Sequence, residues 1–272
     1  VEVSGKDASK LLQGQITADV DKLATGQFVL SALCTNKGRV VSTFTLFRAQ
    51  DAFYCRLPRD NADQLVQTLK KYAVFYKVGI SIKEDLGILA IIETSLPEGF
   101  PEPLARLNLQ EDLIECWIEE SQWPVALESL STRSSLPESS WRLKKIALGW
   151  PDIHENTTET FLPHALSLDL AEAISFTKGC YTGQEIVART HYRGKSKKRL
   201  IRMQLDGIAP SQGTELESAQ GVSIGTVVVS ADSAEGESEI LATANLDLPN
   251  KDELLIDGSK ISYTAIPLPW EN

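Results

Sequence analysis

Methionine, histidine and cysteine are scarce in this 272-residue chain, which has one, three and four of them respectively. The cysteines, Cys34, Cys55, Cys116 and Cys180, are widely separated and form no CxxC pair, so neither a zinc-ribbon spacing nor a dense disulfide framework is present. Free thiols fit a reducing compartment. No run of about 18 apolar residues occurs and no basic-then-apolar leader pattern is visible, so no membrane span is expected and the expected location is cytoplasmic. A hydrophobic share of 42% with 24% charged residues is that of a globular chain. The formal net charge of -10 argues against sequence-blind binding of nucleic acid over the whole surface.

Read in order, Asp7 is a candidate N-cap for a short helix over residues 8–13, which Gly14 ends. Alternating β-branched and aromatic residues over 28–36 and 39–48 flank the turn Thr35-Asn36-Lys37-Gly38 and predict a hairpin, with a third strand over 52–57. A helix follows from Asp60, with Leu65, Leu69, Tyr72 and Ala73 on one face. Strands are expected over 78–82 and 88–93, then a proline-rich link, a short helix, and strands near 113–118 and 124–128. The serine-rich stretch 129–140 is a boundary or crossing loop. A helix candidate over 141–148 ends at Gly149. From Gly194 onward, short strands over 199–205, 222–229, 240–244, 253–256 and 260–265 suggest a small β-barrel.

Several motif matches fail on context. Gly221-Val222-Ser223-Ile224-Gly225 has the GxSxG pattern, but all three histidines precede it and the segment reads as strand. Gly194-Lys195-Ser196 lacks the first glycine of a P-loop, since Arg189 stands there. His154-Glu155 has Thr158 where HExxH needs its second histidine. Asn156-Thr157-Thr158 fits a glycosylation acceptor that stays bare without secretion.

Charge is concentrated in one place. Between Ile186 and Leu205 there is no acidic residue, while Arg189, Arg193, Lys195, Lys197, Lys198, Arg199 and Arg202 supply seven positive charges. Such a run is either a solvated face or a polyanion site, for an RNA backbone or a polyglutamate tail, with His191 and Tyr192 available for stacking.

The stretch 178–190 is the focus of the chain. Lys178-Gly179-Cys180-Tyr181-Thr182-Gly183-Gln184-Glu185 is polar and punctuated by glycine, which predicts an exposed loop turning into a helix near Gly183. A thiol beside an ammonium and before a helix N-terminus is in the environment of a reactive cysteine; the plainer alternative is a capped helix with one surface ion pair. Glu185 falls in the first helical turn, and Arg189 lies four residues on, on the same face. Cys34, Cys55 and Cys116 sit in apolar, strand-like runs and are expected to be buried.

This stretch, KGCYTGQE followed by Arg189, resembles the signature of the YgfZ family of folate-binding proteins, which are similar in fold to the T protein of the glycine cleavage system. Ser4-Gly5-Lys6-Asp7-Ala8, the segment from Leu12 to Val20, and Asn36-Lys37-Gly38-Arg39 resemble the family's opening and first hairpin turn. The resemblance covers most of the chain. It implies an α+β fold of three domains in a T-protein-like (aminomethyltransferase) ring with a C-terminal β-barrel. The domains expected are 1–48 with 137–193, an inserted α+β domain over 49–136, and 194–272.

It further implies a tetrahydrofolate or a derivative as cofactor, iron-sulfur enzymes as clients, and a part in tRNA modification, with tRNA contact through Arg189 to Arg202. Trp141 and Tyr181 are the implied cofactor-binding residues, an indole face being a sound partner for a pterin. Cys180 is the implied working thiol, Lys178 favours its thiolate, Gln184 and Glu185 fix the loop, and Arg189 is their charge partner. Two departures stand out. The segment Arg39-Val40-Val41-Ser42-Thr43 has no carboxylate where the T protein has its catalytic aspartate, which argues against the alternative of folate-dependent aminomethyl transfer. Ala147 stands where T-protein relatives carry a glutamate. A further alternative is an RNA-binding module built on the basic segment.

Overall fold

The computed structural model describes residues 1–49, 51–194, 196–234, 236–245 and 254–271. The first sheet is antiparallel, in the order β2-β3-β4-β1-β5, from β1 (Glu2–Ser4), β2 (Phe28–Cys34), β3 (Val40–Arg48), β4 (Ala52–Arg56) and β5 (Gly79–Ser81). The predicted hairpin is β2 and β3, paired from Phe28 with Phe47 to Cys34 with Val40. Because β4 and β5 belong to this sheet, it continues past the boundary expected after residue 48.

Helix α1 (Ala8–Gln13) ends at Gly14 as expected. Asp7 does not cap it with its side chain; its Oδ2 instead accepts from the backbone N–H of Lys77. Helix α2 (Arg59–Tyr72) buries Ala62, Leu65, Val66 and Leu69. Leu65 and Leu69 join Val3, Leu12, Ile16, Leu33, Phe44 and Leu46 in the core of the first unit.

A second sheet, in the order β6-β8-β7, comprises β6 (Leu86–Ile91), β7 (Ala105–Gln110) and β8 (Leu113–Glu119). Two expectations are corrected here. The segment expected as a short helix is β7, because its alternation places Ala105 and Leu107 inward against β8. The strand expected near 124–128 is helix α3 (Trp123–Ser129), where Pro124 falls in the first helical turn, a position that suits its fixed φ and missing N–H. The first two sheets join through Phe47, Leu107 and Trp117, with the Phe47 and Trp117 rings 5.7 Å apart.

The chain then returns as α4 (Glu138–Ala147) and, after a long irregular segment, α5 (Gln184–Arg193). It closes with a third, antiparallel sheet in the order β14-β13-β10-β11-β12-β9-β15. Its strands are β9 (Lys198–Asp206), β10 (Glu215–Glu217), β11 (Ser223–Ala234), β12 (Glu237–Asn245), β13 (Leu254–Ile256), β14 (Ser259–Ile261) and β15 (Tyr263–Ile266). Among the described residues β14 and β15 are its two edges, so it is an open seven-stranded sheet and not the closed barrel expected. Glu253, expected to begin β13, lies outside the described residues. Leu30, Ala32, Ile146, Ile153, Leu166, Leu168, Val187, Leu200, Val228 and Leu241 form one continuous core that welds this sheet to the first unit.

Candidate functional site

Three stretches far apart in sequence meet at the loop before α5. Thr17 Oγ1 donates to the carbonyl of Ala173 at 2.7 Å, and the backbone N–H of Ser175 donates to Thr17 at 2.9 Å. The N–H of Thr182 donates to the Gly14 carbonyl at 3.2 Å and its hydroxyl to Gln15 Oε1 at 2.9 Å. The segment 173–182 is thereby laced along residues 14–18. On its other side Gly183 abuts the hairpin turn at Thr35 and Gly38.

Gly183 is left-handed (φ 85°), and α5 starts at Gln184, where the helix was expected. Cys180 is exposed at this junction, whereas Cys34, Cys55 and Cys116 are buried, as their apolar surroundings led one to expect. Burial pushes the Cys34 and Cys55 thiols up to about 12.

Lys178 has a different post from the one expected beside the thiol. It is 9% exposed, and its Nζ donates to the carbonyls of Ile16 at 2.9 Å and Ala18 at 2.7 Å. Burial lowers its pKa to about 8, opposed by Asp19 and Asp21. The same ammonium lies 5.3 Å from the ring centroid of Tyr181, which is buried beneath it. Lys178 and Tyr181 are therefore structural props of the loop. Gln184 is half-buried, while Glu185 and Arg189 are exposed and, among the described residues, form no ion pair with each other.

Arg189 faces a different neighbour. With Arg39, Arg193, Lys197 and Lys198 it lines a cavity of about 690 Å³ between the hairpin turn, α5 and the third sheet. Of the other cations in the basic run, Arg199 is paired with Asp169 at 2.6 Å and Arg202 with Glu239 at 2.7 Å. Lys195 lies outside the described residues. His191 stacks on Phe176 with ring centroids 3.7 Å apart, so one of its faces is already taken.

A larger cavity, of about 920 Å³, lies where the three sheets meet, and Trp141 on α4 lines it. Its wall includes Ile88 to Ile92 and Leu127 from the second unit, Arg56 and Asp60 from the first, and Val229 from the third sheet. No residue of the Cys180 loop lines it.

Ionised side chains at its wall are held in place. Arg56 forks onto Glu115 (Nη2 to Oε2 2.7 Å, Nε to Oε1 3.2 Å), Glu115 also accepts from Trp117 Nε1 at 2.7 Å, and the guanidinium lies 5.6 Å from the Trp141 ring centroid. Lys145 donates to Asp152. Burial and the nearby Arg56 cation lower the Lys145 pKa, while Asp152 opposes them. For Asp152 burial acts upward, but the Lys145 and Arg56 cations outweigh it and the carboxyl is held below its ordinary range. His154 Nδ1 lies 2.9 Å from Asp60 Oδ2.

Sequence reading passed over this set. Arg56 and Glu115 are 59 positions apart, with no local pattern to link them. The one available signal for Lys145 and Asp152 was a lysine on the otherwise apolar face of α4 followed by an aspartate just past its end.

Comparison with known proteins follows the same lines. The GCVT N-terminal domain family matches residues 1–92. The chain is 34% identical over 297 residues to tRNA-modifying protein YgfZ of Edwardsiella ictaluri, covering 99% of this chain and 89% of that protein. It is 32% identical over 276 residues to an uncharacterized protein of Haemophilus influenzae, covering 99% and 94%. Among solved structures it resembles the glycine cleavage system aminomethyltransferase T from Bartonella henselae, with a TM-score of 0.73 over 99% of this chain and 82% of that one; the identity is 16%, so this likeness speaks to fold alone.

Proposed function

The chain belongs to the YgfZ family of tRNA-modifying proteins, and from that premise we propose that it binds a tetrahydrofolate or a derivative and supports iron-sulfur enzymes and, through them, tRNA modification. The observation that carries the folate part is the central cavity. Its about 920 Å³ suits a ligand of that size, its wall joins an aromatic face at Trp141 to aliphatic side chains, and Arg59, Arg133 and Arg142 line it, each in a solvent-accessible ion pair (with Asp63, Glu93 and Glu138) that a ligand carboxylate has to share. A pterin presents N–H donors and a flat ring, and the glutamate tail presents carboxylates. Asp152, half-buried and paired with Lys145, offers an acceptor in that wall where Ala147 offers none. Bound folate supplies one-carbon carrier chemistry. The protein's part is to stack the ring, accept its donors and neutralise its tail.

In this reading Cys180 is the exposed working thiol of the family loop. Gln184 and Glu185 fix the first turn of the helix behind it, while Lys178 and Tyr181 hold the loop from below. The separation of Cys180 from the wall of the central cavity argues for a thiol that meets a partner protein at the surface, and against a thiol that attacks bound folate. Aminomethyl transfer is the weaker alternative, because residues 39–43 carry no carboxylate.

Mass spectrometry of modified nucleosides tests the reading, in a strain lacking the protein and complemented with wild type, Cys180→Ser or Trp141→Ala. Restoration by wild type and by neither variant is the expected result. Equal restoration by Cys180→Ser would make the cysteine structural, and no restoration by wild type would remove the tRNA role. Quenching of tryptophan fluorescence by 5-formyl-tetrahydrofolate, lost in Trp141→Ala, tests folate binding directly.

A second reading has its own observation. The cavity lined by Arg39, Arg189, Arg193, Lys197 and Lys198 gathers five cations in a chain of net charge -10. We assign it to a polyanion, with tRNA as the candidate. Titration with tRNA at two salt concentrations checks this: phosphate contacts require affinity to fall steeply with salt, and Arg189→Ala with Arg193→Ala must flatten that dependence.

A further inference from the structure

His164 is 2% exposed, and among the described residues neither of its ring nitrogens has a hydrogen-bond partner in the protein. Burying an imidazole with both nitrogens unsatisfied is costly, and native structures rarely keep such a group without a partner of some kind. The surroundings of this histidine indicate what the partner is.

Two other ligating side chains converge on it. Asp169, five residues along the same irregular segment, and His191, in the last turn of α5, bring their ligating atoms to within 4.8 Å of one another and of His164. Stacking on Phe176 fixes the plane of the His191 ring at an interplanar angle of 17°. Its nitrogen lone pair lies in the ring plane, so the stack orients the ligand without occupying it. Asp169 is oriented in turn: its Oδ1 accepts from Arg199 Nη1 at 2.6 Å, Oδ2 accepts no hydrogen bond among the described residues, and Arg199 Nη1 also donates to the His164 carbonyl at 3.1 Å. A carboxylate held from behind by a second hydrogen bond is the usual support of a metal ligand.

We infer that His164, Asp169 and His191 form a binding site for a divalent first-row transition metal such as Zn²⁺. Two imidazoles and one carboxylate suit that class, whereas Mg²⁺ and Ca²⁺ favour all-oxygen shells. Tetrahedral zinc with bonds near 2.0–2.1 Å places its ligand atoms roughly 3.4 Å apart. The three side chains must therefore close by an ångström or so, which His191, exposed at the surface, accomplishes by a small rotation. Three protein ligands leave the fourth position open toward solvent on the His191 side. The site joins the irregular segment to α5 and to β9 through Arg199, so metal binding ties the helix that follows the Cys180 loop to the third sheet. It is independent of folate binding.

The test uses the tag-free full-length chain in a Cys180→Ser background, so that the exposed thiol cannot supply the binding. After chelator stripping, equilibrium dialysis against micromolar Zn²⁺ with elemental analysis gives the stoichiometry, and Co²⁺ absorption gives the ligand set. The expected result is one Zn²⁺ per chain, a Co²⁺ spectrum of nitrogen and oxygen ligands, and an affinity weakened at least about tenfold by His191→Ala, a surface substitution that leaves the core intact. His164→Gln must weaken it as well. Failure of the parent chain to bind Zn²⁺ overturns the inference, and so does binding that survives both substitutions unchanged.

Discussion

Gly183 and Gly38 meet face to face. A Cβ on Gly183 would stand 3.2 Å from the Cα of Gly38 and 2.5 Å from the Thr35 carbonyl oxygen, while one on Gly38 would stand 2.9 Å from Cβ of Ile186. Both have positive φ, 85° and 71°. The hairpin turn and the start of α5 thus each need glycine twice over, for backbone conformation and for the closeness of the other. Two motifs separated by more than a hundred residues are halves of one contact.

Gly183→Ala therefore loses on both counts. The left-handed conformation alone costs about 1–3 kcal/mol for a residue with a side chain, and the carbonyl of Thr35 cannot yield without moving the turn. The expected result is a fall in the urea midpoint at unchanged slope. Gly179→Ala is the control: nothing lies within 4 Å of its added Cβ, so its effect stays within about 0.5 kcal/mol. Equal effects at the two positions would dismiss the contact.

The legible parts of this fold were those whose cause is local. The Thr35-Asn36-Lys37-Gly38 turn, the helix beginning at Gly183 and the burial of three cysteines in apolar strands all follow from neighbours in sequence. What could not be read depends on partners far away. Lys178 looked like a free cation beside a thiol because its acceptors, Ile16 and Ala18, are about 160 positions distant. Closure of the third sheet depends on whether β14 and β15 find each other, which no strand's own pattern states. The segment 105–110 is too short for its alternation to outvote a helical reading, and at Trp123-Pro124 the apolar pattern of a strand and the proline's preference for a helix start point in opposite directions.

Thiol accessibility separates Cys180 from the other three cysteines. In the native protein one thiol of the four reacts promptly with a disulfide reagent, and all four react in denaturant. Cys180→Ser removes the prompt reaction. Prompt reaction of more than one thiol in the native state would contradict the burial of Cys34, Cys55 and Cys116.

The buried thiols also set a pH dependence. Cys34 and Cys55 have folded-state pKa values raised to about 12 from an ordinary 9.0, so above pH 9.0 the unfolded chain gives up protons that the folded chain retains. Their contribution is fully present below that pH and is lost as pH rises toward 12. In Cys55→Ala the share of this loss that belongs to Cys55 is absent while that of Cys34 remains, so the stability gap between wild type and variant narrows above pH 9.0. A gap that does not change with pH refutes the assignment.

Glu115 is fully buried between β8 and the first sheet, with Arg56 and Trp117 as its partners. Removing one member of such a pair leaves an uncompensated charge and costs about 3–5 kcal/mol, whereas replacing both by apolar residues is often close to neutral. Glu115→Ala should accordingly unfold at much lower urea than Arg56→Met combined with Glu115→Leu. The double variant also strips the cation from beside Trp141, so weaker quenching by folate at near-native stability would separate the pair's role in the cavity from its role in the fold. Instability of the double variant equal to the single would mean that the pair holds the two sheets together in a way that packing cannot replace.

Lys178 offers the sharpest conflict between two physical effects. Its ammonium donates charge-assisted hydrogen bonds to two carbonyls, which favours the charged form, while burial favours the neutral one. Burial is the larger effect, since the folded-state pKa is lowered to about 8 from 10.5. Between those values the unfolded chain binds more protons than the folded chain, and stability rises with pH; below about 8 both states are protonated and the penalty of burying the charge is present in full. Lys178→Met removes the penalty but strands the carbonyls of Ile16 and Ala18, at about 1–3 kcal/mol for each group. Measured by urea unfolding at about pH 7 and about pH 9.5, wild type should gain on the variant as pH rises. If it loses ground instead, the hydrogen-bonded ammonium is the favoured form, and the loop that carries Cys180 is held by its charge.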